Sequence, residues 1–172
     1  MKITITAILI YLSLPTSGQS NKFLTLNANI AFNFKTKGLG TNDAGVGFAL
    51  DGTIFANHKL QLLIEASTDD FFGDKLFIVD AQGRNTKSAV IYSMRVGPQL
   101  FILKNIAIST TVGPFWHRVR AYEFTNDFGF KFGITTFFGK NKRFNSRFFM
   151  TTIPKEIVDI QFFGLGIGYR FY

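Results

Sequence analysis

The chain has 172 residues, a formal net charge of +8, 47% hydrophobic residues and no cysteine. The lack of cysteine excludes a disulfide scaffold, a lipoprotein acylation site and a thiolate metal site. Mean hydropathy is only +0.17 because the apolar residues are spread along the chain, and beyond the N-terminal segment no apolar run is long enough for a transmembrane helix.

The N-terminal segment predicts export. Lys2 gives one positive charge, an apolar run follows over residues 3–14, and small residues at 16–18 suit cleavage by a signal peptidase. The run is shorter than the ~20 residues that a spanning helix needs. We therefore expect a signal peptide at 1–18 and a mature domain at 19–172.

The mature chain keeps its basic character. Without residues 1–18, it has 18 basic and 11 acidic side chains. This balance can indicate nucleic acid. In an exported chain it favours contact with outer-membrane lipid phosphates or lipopolysaccharide instead, so we expect no nucleic-acid partner.

Eight segments alternate between apolar residues and small or polar ones, as strands with one apolar face do. Their apolar positions fall within residues 24–34, 46–54, 60–66, 90–96, 106–116, 128–138, 144–150 and 163–171. The last segment is the most regular, because Phe163, Leu165, Ile167, Tyr169 and Phe171 alternate with Gly164, Gly166, Gly168 and Arg170.

The predicted connections alternate in length. Short turns fall at 56–59, 101–104 and 139–143, whereas the connections at 35–43, 68–88, 118–125 and 152–157 are mostly longer and more polar. This asymmetry is typical of membrane β-barrels with both termini on the periplasmic side. The sequence therefore predicts an all-β, eight-stranded antiparallel up-and-down transmembrane β-barrel.

A soluble lipocalin-like barrel, which would bind a ligand inside, is the alternative fold. Its outward residues would meet water and be rich in Lys and Glu. The non-apolar positions here hold mostly Gly, Asn, Thr and Ser with isolated charges. This composition favours a narrow lumen filled by side chains.

The signal segment, the eight alternating strands and the closing run from Gly164 to Tyr172 together resemble the small outer-membrane β-barrels of Gram-negative bacteria, of the OmpA/OmpX-like or PorT-like kind. The resemblance implies an outer-membrane location. It also implies that the barrel-assembly machinery recognises the terminal aromatic strand. In this chain Phe171, and not the terminal Tyr172, has the outward parity of that strand. We further expect a monomer.

The sequence offers little catalytic chemistry, and we expect neither an enzyme nor a cofactor. A barrel lipid deacylase needs a serine held by a histidine that an acid orients, yet no serine lies two residues from His117. We interpret His117 as a surface or rim residue and His58 as a turn residue. The acidic segment 68–74 lacks the spacing of a calcium loop, which predicts a solvated loop without metal.

Charged residues on the inward parity predict a polar network in the lumen. Hairpin geometry places Glu65 and Arg95 at the same height on neighbouring strands, and an unpaired charge in a narrow barrel is costly. The expected members are Asp51, Glu65, Arg95, Lys131 and Arg147. Glycines of the last strand would leave room for Lys131, Arg147 and Phe149.

Four aromatic residues are expected where strands leave the hydrocarbon, as membrane-interface rings do. They are Tyr92, Trp116, Tyr169 and Phe171. The turn at 139–143 carries three cations that would face inner-leaflet phosphates. A plain solvated turn is the alternative for that segment.

Two function classes remain open at this point. The first is a structural or interaction barrel with a plugged lumen, whose longest loop, at 68–88, meets an unknown partner outside. The second is a narrow conduit for small solutes. Eight strands leave an interior that side chains can fill, which favours the first class.

Overall fold

The computed structural model describes residues 23–33, 44–55, 59–72, 89–119, 124–155 and 159–171. The signal-peptide prediction, His58, the loop at 35–43 and most of the loop at 68–88 lie outside these residues. Eight strands occupy the described chain: β1 (Phe23–Asn33), β2 (Ala44–Phe55), β3 (Leu60–Phe72), β4 (Ala89–Leu103), β5 (Ile106–Val119), β6 (Thr125–Phe138), β7 (Phe144–Ile153) and β8 (Ile160–Phe171). A 3₁₀ turn at Lys140–Lys142 joins β6 to β7. No helix in these segments is long and apolar enough to cross a membrane.

The strands form one closed barrel in chain order. Each strand is antiparallel to its neighbours, and β8 pairs with β1. The stagger of the barrel can be counted by stepping from each residue to its partner on the next strand, starting at Asn29. The path through β2, β3, β4 and β5 ends at Thr125 of β6, whereas the path through β8 and β7 ends at Thr135 of β6. This stagger of ten residues fixes the tilt of the strands, and with eight strands it leaves an interior just wide enough for side chains to fill.

The two parities of each strand face opposite sides of the barrel wall. The apolar parity faces outward, so that Phe128 is 65% exposed and Ile167 is 69% exposed. The other parity is buried inside, as Asn27 and Thr111 are. The predicted transmembrane-type barrel is therefore confirmed. The lipocalin-like alternative is wrong, because its apolar face would point inward.

The two ends of the barrel differ. The turn end carries the connections at 56–59, 104–105 and 139–143 together with the outer ends of β1 and β8, since Leu24 lies opposite Phe171. The loop end carries the other four connections. Both described chain ends therefore lie at the turn end, as an even number of antiparallel strands requires.

Several strands are longer than the sequence predicted, and β3 is the clearest case. Residues 68–72 were expected in a solvated acidic loop but continue β3, paired with β2 and β4. Asp69 is 3% exposed inside the barrel, and Asp70 lies on the outward parity opposite Val46. That prediction is wrong for these residues because ladder hydrogen bonds outweigh the low strand propensity of aspartate. Similarly, Arg118 lies in β5 and Thr152 in β7.

Candidate functional site: the lumen and the two barrel ends

Glu65 is the centre of a buried ionic network in the lumen. Its side chain is 2% exposed. Arg95 on the neighbouring strand donates a hydrogen bond to Oε1, Nζ of Lys131 lies 2.7 Å from the same oxygen, and Nη1 of Arg147 lies 3.3 Å from Oε2. Three cations from β4, β6 and β7 therefore converge on one carboxylate from β3.

Asp51 extends this network toward β2. Nη1 of Arg147 donates to Oδ2 of Asp51 at 3.1 Å, and Nε of Arg147 donates to Asn29 at 3.0 Å. Asn27 also donates to Asp51, at 2.8 Å. The five charged residues proposed from sequence thus lie in one connected set, in which three cations share two carboxylates.

An apolar layer covers this network on the side of the loop end. Four phenylalanines and three isoleucines meet inside the barrel, each at most 1% exposed. They are Phe71, Ile91, Phe115, Phe149, Ile153, Ile160 and Phe162. We call this set the apolar layer. Asp69 and Thr151 are buried at the same height, opposite Ile91 and Phe162 respectively, so the apolar layer fills the lumen beside a few enclosed polar side chains.

Cation–π contacts join the two layers. Nζ of Lys131 lies 4.0 Å from the ring centroid of Phe149, and the guanidinium of Arg95 lies 4.9 Å from that of Phe115. Such contacts stabilise a desolvated cation by up to about 2 kcal/mol. The apolar layer therefore both closes the lumen and stabilises the charges beneath it.

Glycines of β8 make room for the lumen side chains. A Cβ at Gly164 would lie 2.3 Å from Cζ of Phe149, and one at Gly166 would lie 3.1 Å from Cγ of Arg147. The space predicted for these two side chains is present. Gly168 faces Asn27 and Asn145 instead, and no glycine of β8 meets Lys131 among its nearest contacts.

Arg170 closes the lumen at the turn end and was not proposed as a site residue from the sequence. It is 5% exposed, with its guanidinium 4.1 Å from the Phe137 ring and 4.6 Å from the Phe23 ring. A cavity of about 20 Å³ lies between this group and the Glu65 network. That is space for about one water molecule.

His117 was expected to be a surface or rim residue; it lies at the loop end of β5, but its inward parity places the side chain inside the barrel and away from the surface. It is 2% exposed. Nε2 lies 2.6 Å from Asp127 and 2.9 Å from the Thr125 hydroxyl. The Thr125 hydroxyl also lies 3.1 Å from Nδ1, so it is within hydrogen-bond distance of both ring nitrogens. These contacts hold the His117 ring between Thr125 and Asp127 inside the loop end.

The four proposed interface aromatics lie on the outward parity in two pairs. Tyr92 lies opposite Trp116 toward the loop end. Tyr169 and Phe171 lie at the turn end, with ring centroids 5.1 Å apart in an edge-to-face arrangement. The structure brings each pair together at one end of the barrel.

Cations surround the turn end. Lys59, Lys104, Lys140 and Arg143 are exposed and Lys142 is half-buried; we call these five residues the turn-end rim. Lys142 donates to the backbone oxygen of Lys104. Burial and the nearby charges of Arg170 and Lys104 lower the pKa of Lys142.

The described residues contain no group of three or more His, Cys, Asp or Glu side chains placed to hold a metal ion.

This architecture is that of the small eight-stranded outer-membrane β-barrels. The chain is similar to the attachment invasion locus protein Ail of Yersinia pestis, with 15% identity, a TM-score of 0.58 and coverage of 87% of this chain and 97% of Ail. It is also similar to Neisserial surface protein A, with 11% identity, a TM-score of 0.62 and coverage of 90% and 98%. The N-terminal β-barrel domain of Pseudomonas aeruginosa OprF matches with 10% identity, a TM-score of 0.54 and coverage of 89% and 100%. No family model and no curated protein matches the sequence.

Proposed function

We propose that this protein is a closed, monomeric scaffold in the outer membrane of a Gram-negative bacterium, with a structural or interaction role and no enzymatic one. The carrying observation is that the Glu65 network and the apolar layer fill the lumen with buried side chains. The cavity between the network and Arg170 has a volume of only about 20 Å³. The connections of the loop end would then meet a partner outside the cell, the longest of them at 68–88 by the sequence prediction.

The outward surface supports the membrane location. Large apolar side chains that would be costly in water are 38–69% exposed all around the barrel, and outward bands of this kind contact lipid in outer-membrane barrels. Closure of β8 on β1 leaves no free sheet edge, so the barrel needs no second copy. In this arrangement both termini face the periplasm, and β8 is the strand that the assembly machinery would read.

Planar-bilayer conductance tests the closed lumen. The refolded mature protein is expected to give no steady ion current. Phe115→Ala/Phe162→Ala, which opens the apolar layer, combined with Glu65→Ala should produce one. The control Phe128→Ala/Phe130→Ala removes two outward rings and should stay closed. A steady current through the unmodified protein would instead support the narrow conduit for small solutes.

A further inference from the structure

The basic surplus of this chain is confined to one end of the barrel. By sequence, the stretches 19–25, 52–63, 97–109, 133–146 and 166–172, which contain or adjoin the turn-end termini of the strands, hold seven basic residues and no Asp or Glu. The stretches 34–43, 69–88, 118–127 and 154–159, which contain or adjoin the loop-end termini, hold nine acidic and eight basic residues. The loop end is thus nearly balanced, and the turn end holds the surplus.

Backbone hydrogen bonds order the rim into a continuous arc. Phe101 N donates to the oxygen of Lys59 at 2.7 Å, and Phe137 N donates to the oxygen of Asn105 at 2.8 Å. Arg170 N donates to the oxygen of Arg143 at 2.7 Å. These bonds connect the strand ends that carry the five cations, so the positive charge follows the barrel wall from β3 to β8.

Each part of the arc adjoins outward apolar residues. Leu103 precedes Lys104 and is 59% exposed, Phe138 lies two residues before Lys140 and is 49% exposed, and Phe144 follows Arg143 and is 48% exposed. Lys142 differs from the other rim cations, because its Nζ lies 5.6 Å from the ring centroid of Phe101, which has the inward parity of β4. Lys104, Lys140 and Arg143 therefore lie at the boundary where the outward apolar band ends, which is the height of lipid headgroups.

We infer that the turn-end rim is a binding surface for anionic phospholipid headgroups such as phosphatidylglycerol. An acid-free arc of cations beside an apolar band complements a phosphate layer above acyl chains. The choice of phospholipid over lipid A rests on the proposed function, which turns this end toward the inner leaflet. Each cation near an anionic lipid surface strengthens association by roughly fivefold.

Native mass spectrometry of the full mature protein released from nanodiscs tests this surface. The nanodiscs contain equal parts of phosphatidylcholine and phosphatidylglycerol, and the readout is the ratio of the two lipids retained. The unmodified protein should retain phosphatidylglycerol preferentially. Lys104→Gln/Lys140→Gln should reduce that enrichment at least about fivefold. The matched control Arg118→Gln/Lys155→Gln removes two loop-end cations and should leave it in place.

Equal enrichment in the unmodified protein and the turn-end variant would overturn the inference, as would an equal loss in the loop-end control. In matched nanodiscs that carry lipid A in place of phosphatidylglycerol, the enrichment of lipid A is measured in the same way, and a dependence on the turn-end pair for lipid A but not for phosphatidylglycerol would also overturn the inference. Independently of any variant, enrichment in the unmodified protein should fall at ~1 M salt, where the screening length is ~3 Å. Both leaflets of the nanodisc have the same composition, so these results do not depend on which end of the barrel faces which leaflet. Heat-modifiable gel mobility separately checks that each variant has folded into a barrel.

Discussion

Lys131 and Glu65 meet across the lumen from β6 and β3, two strands that are not neighbours, with Nζ 2.7 Å from Oε1. The two residues are 66 positions apart in the chain. Their contact requires the sheet from β3 to β6 to curve around the lumen. Lumen charges therefore couple the curvature of the sheet to the pairing of ions that would otherwise be buried without a partner.

Glu65→Gln is expected to destabilise the folded barrel by about 3–5 kcal/mol, because it leaves three buried cations with one carboxylate fewer. Urea unfolding of the refolded protein in detergent micelles measures the change. Asp51→Asn is the matched control. Its loss should be clearly smaller, since Arg147 keeps its contact with Glu65. Equal losses for the two variants would contradict the central position of Glu65.

Gly164→Ala should destabilise the barrel by about 1–3 kcal/mol through overpacking. The new Cβ would lie 2.3 Å from Cζ of Phe149 and 2.8 Å from the backbone oxygen of Ile30. Phe149→Leu, which shortens the opposing side chain, should restore part of the loss in the double variant. The same unfolding measurement gives the coupling energy, and full additivity would show that Phe149 is not the obstacle.

Phe162→Ala and Phe128→Ala remove the same ring from opposite sides of the barrel wall. Phe162 is fully buried and packs edge-to-face against Phe71, with centroids 5.1 Å apart. Its loss should leave a cavity and cost about 3–5 kcal/mol. Phe128 is 65% exposed, and detergent or lipid can fill the space it leaves. A larger loss of stability for Phe128→Ala than for Phe162→Ala would contradict the assignment of the packed core to the inside of the barrel.

Cysteine labelling of intact cells checks the orientation of the barrel. In the cysteine-free chain, Asp80→Cys and Gly83→Cys should react with a membrane-impermeant maleimide from outside. Both positions lie in the sequence of the 68–88 connection, beyond the described residues. Asn141→Cys, in the exposed 3₁₀ turn, should react only after the outer membrane is permeabilised. The reverse pattern would invert the topology.

The strand parity was readable from the sequence, because side chains alternate across a strand whatever the strand pairs with. Alternation in eight segments, very regular in residues 24–34 and in residues 163–171, was enough to predict eight strands and their outward faces. Their ends were less readable. Asp69 and Asp70 look like loop residues, and only pairing with β2 and β4 places them in a strand.

Parity also determined which charges point inward, and register within a hairpin placed Glu65 opposite Arg95. Contacts between distant strands depend on barrel closure and its ten-residue stagger, which no local pattern encodes. The convergence of Lys131 and Arg147 on Glu65 and the closure of the turn end by Arg170 follow from that geometry. His117 and Asp127 instead lie on the neighbouring strands β5 and β6. The apolar layer follows from it as well: Phe71, Phe115 and Phe162 lie on the inward parity of three separate strands, and only the closed barrel brings them into contact.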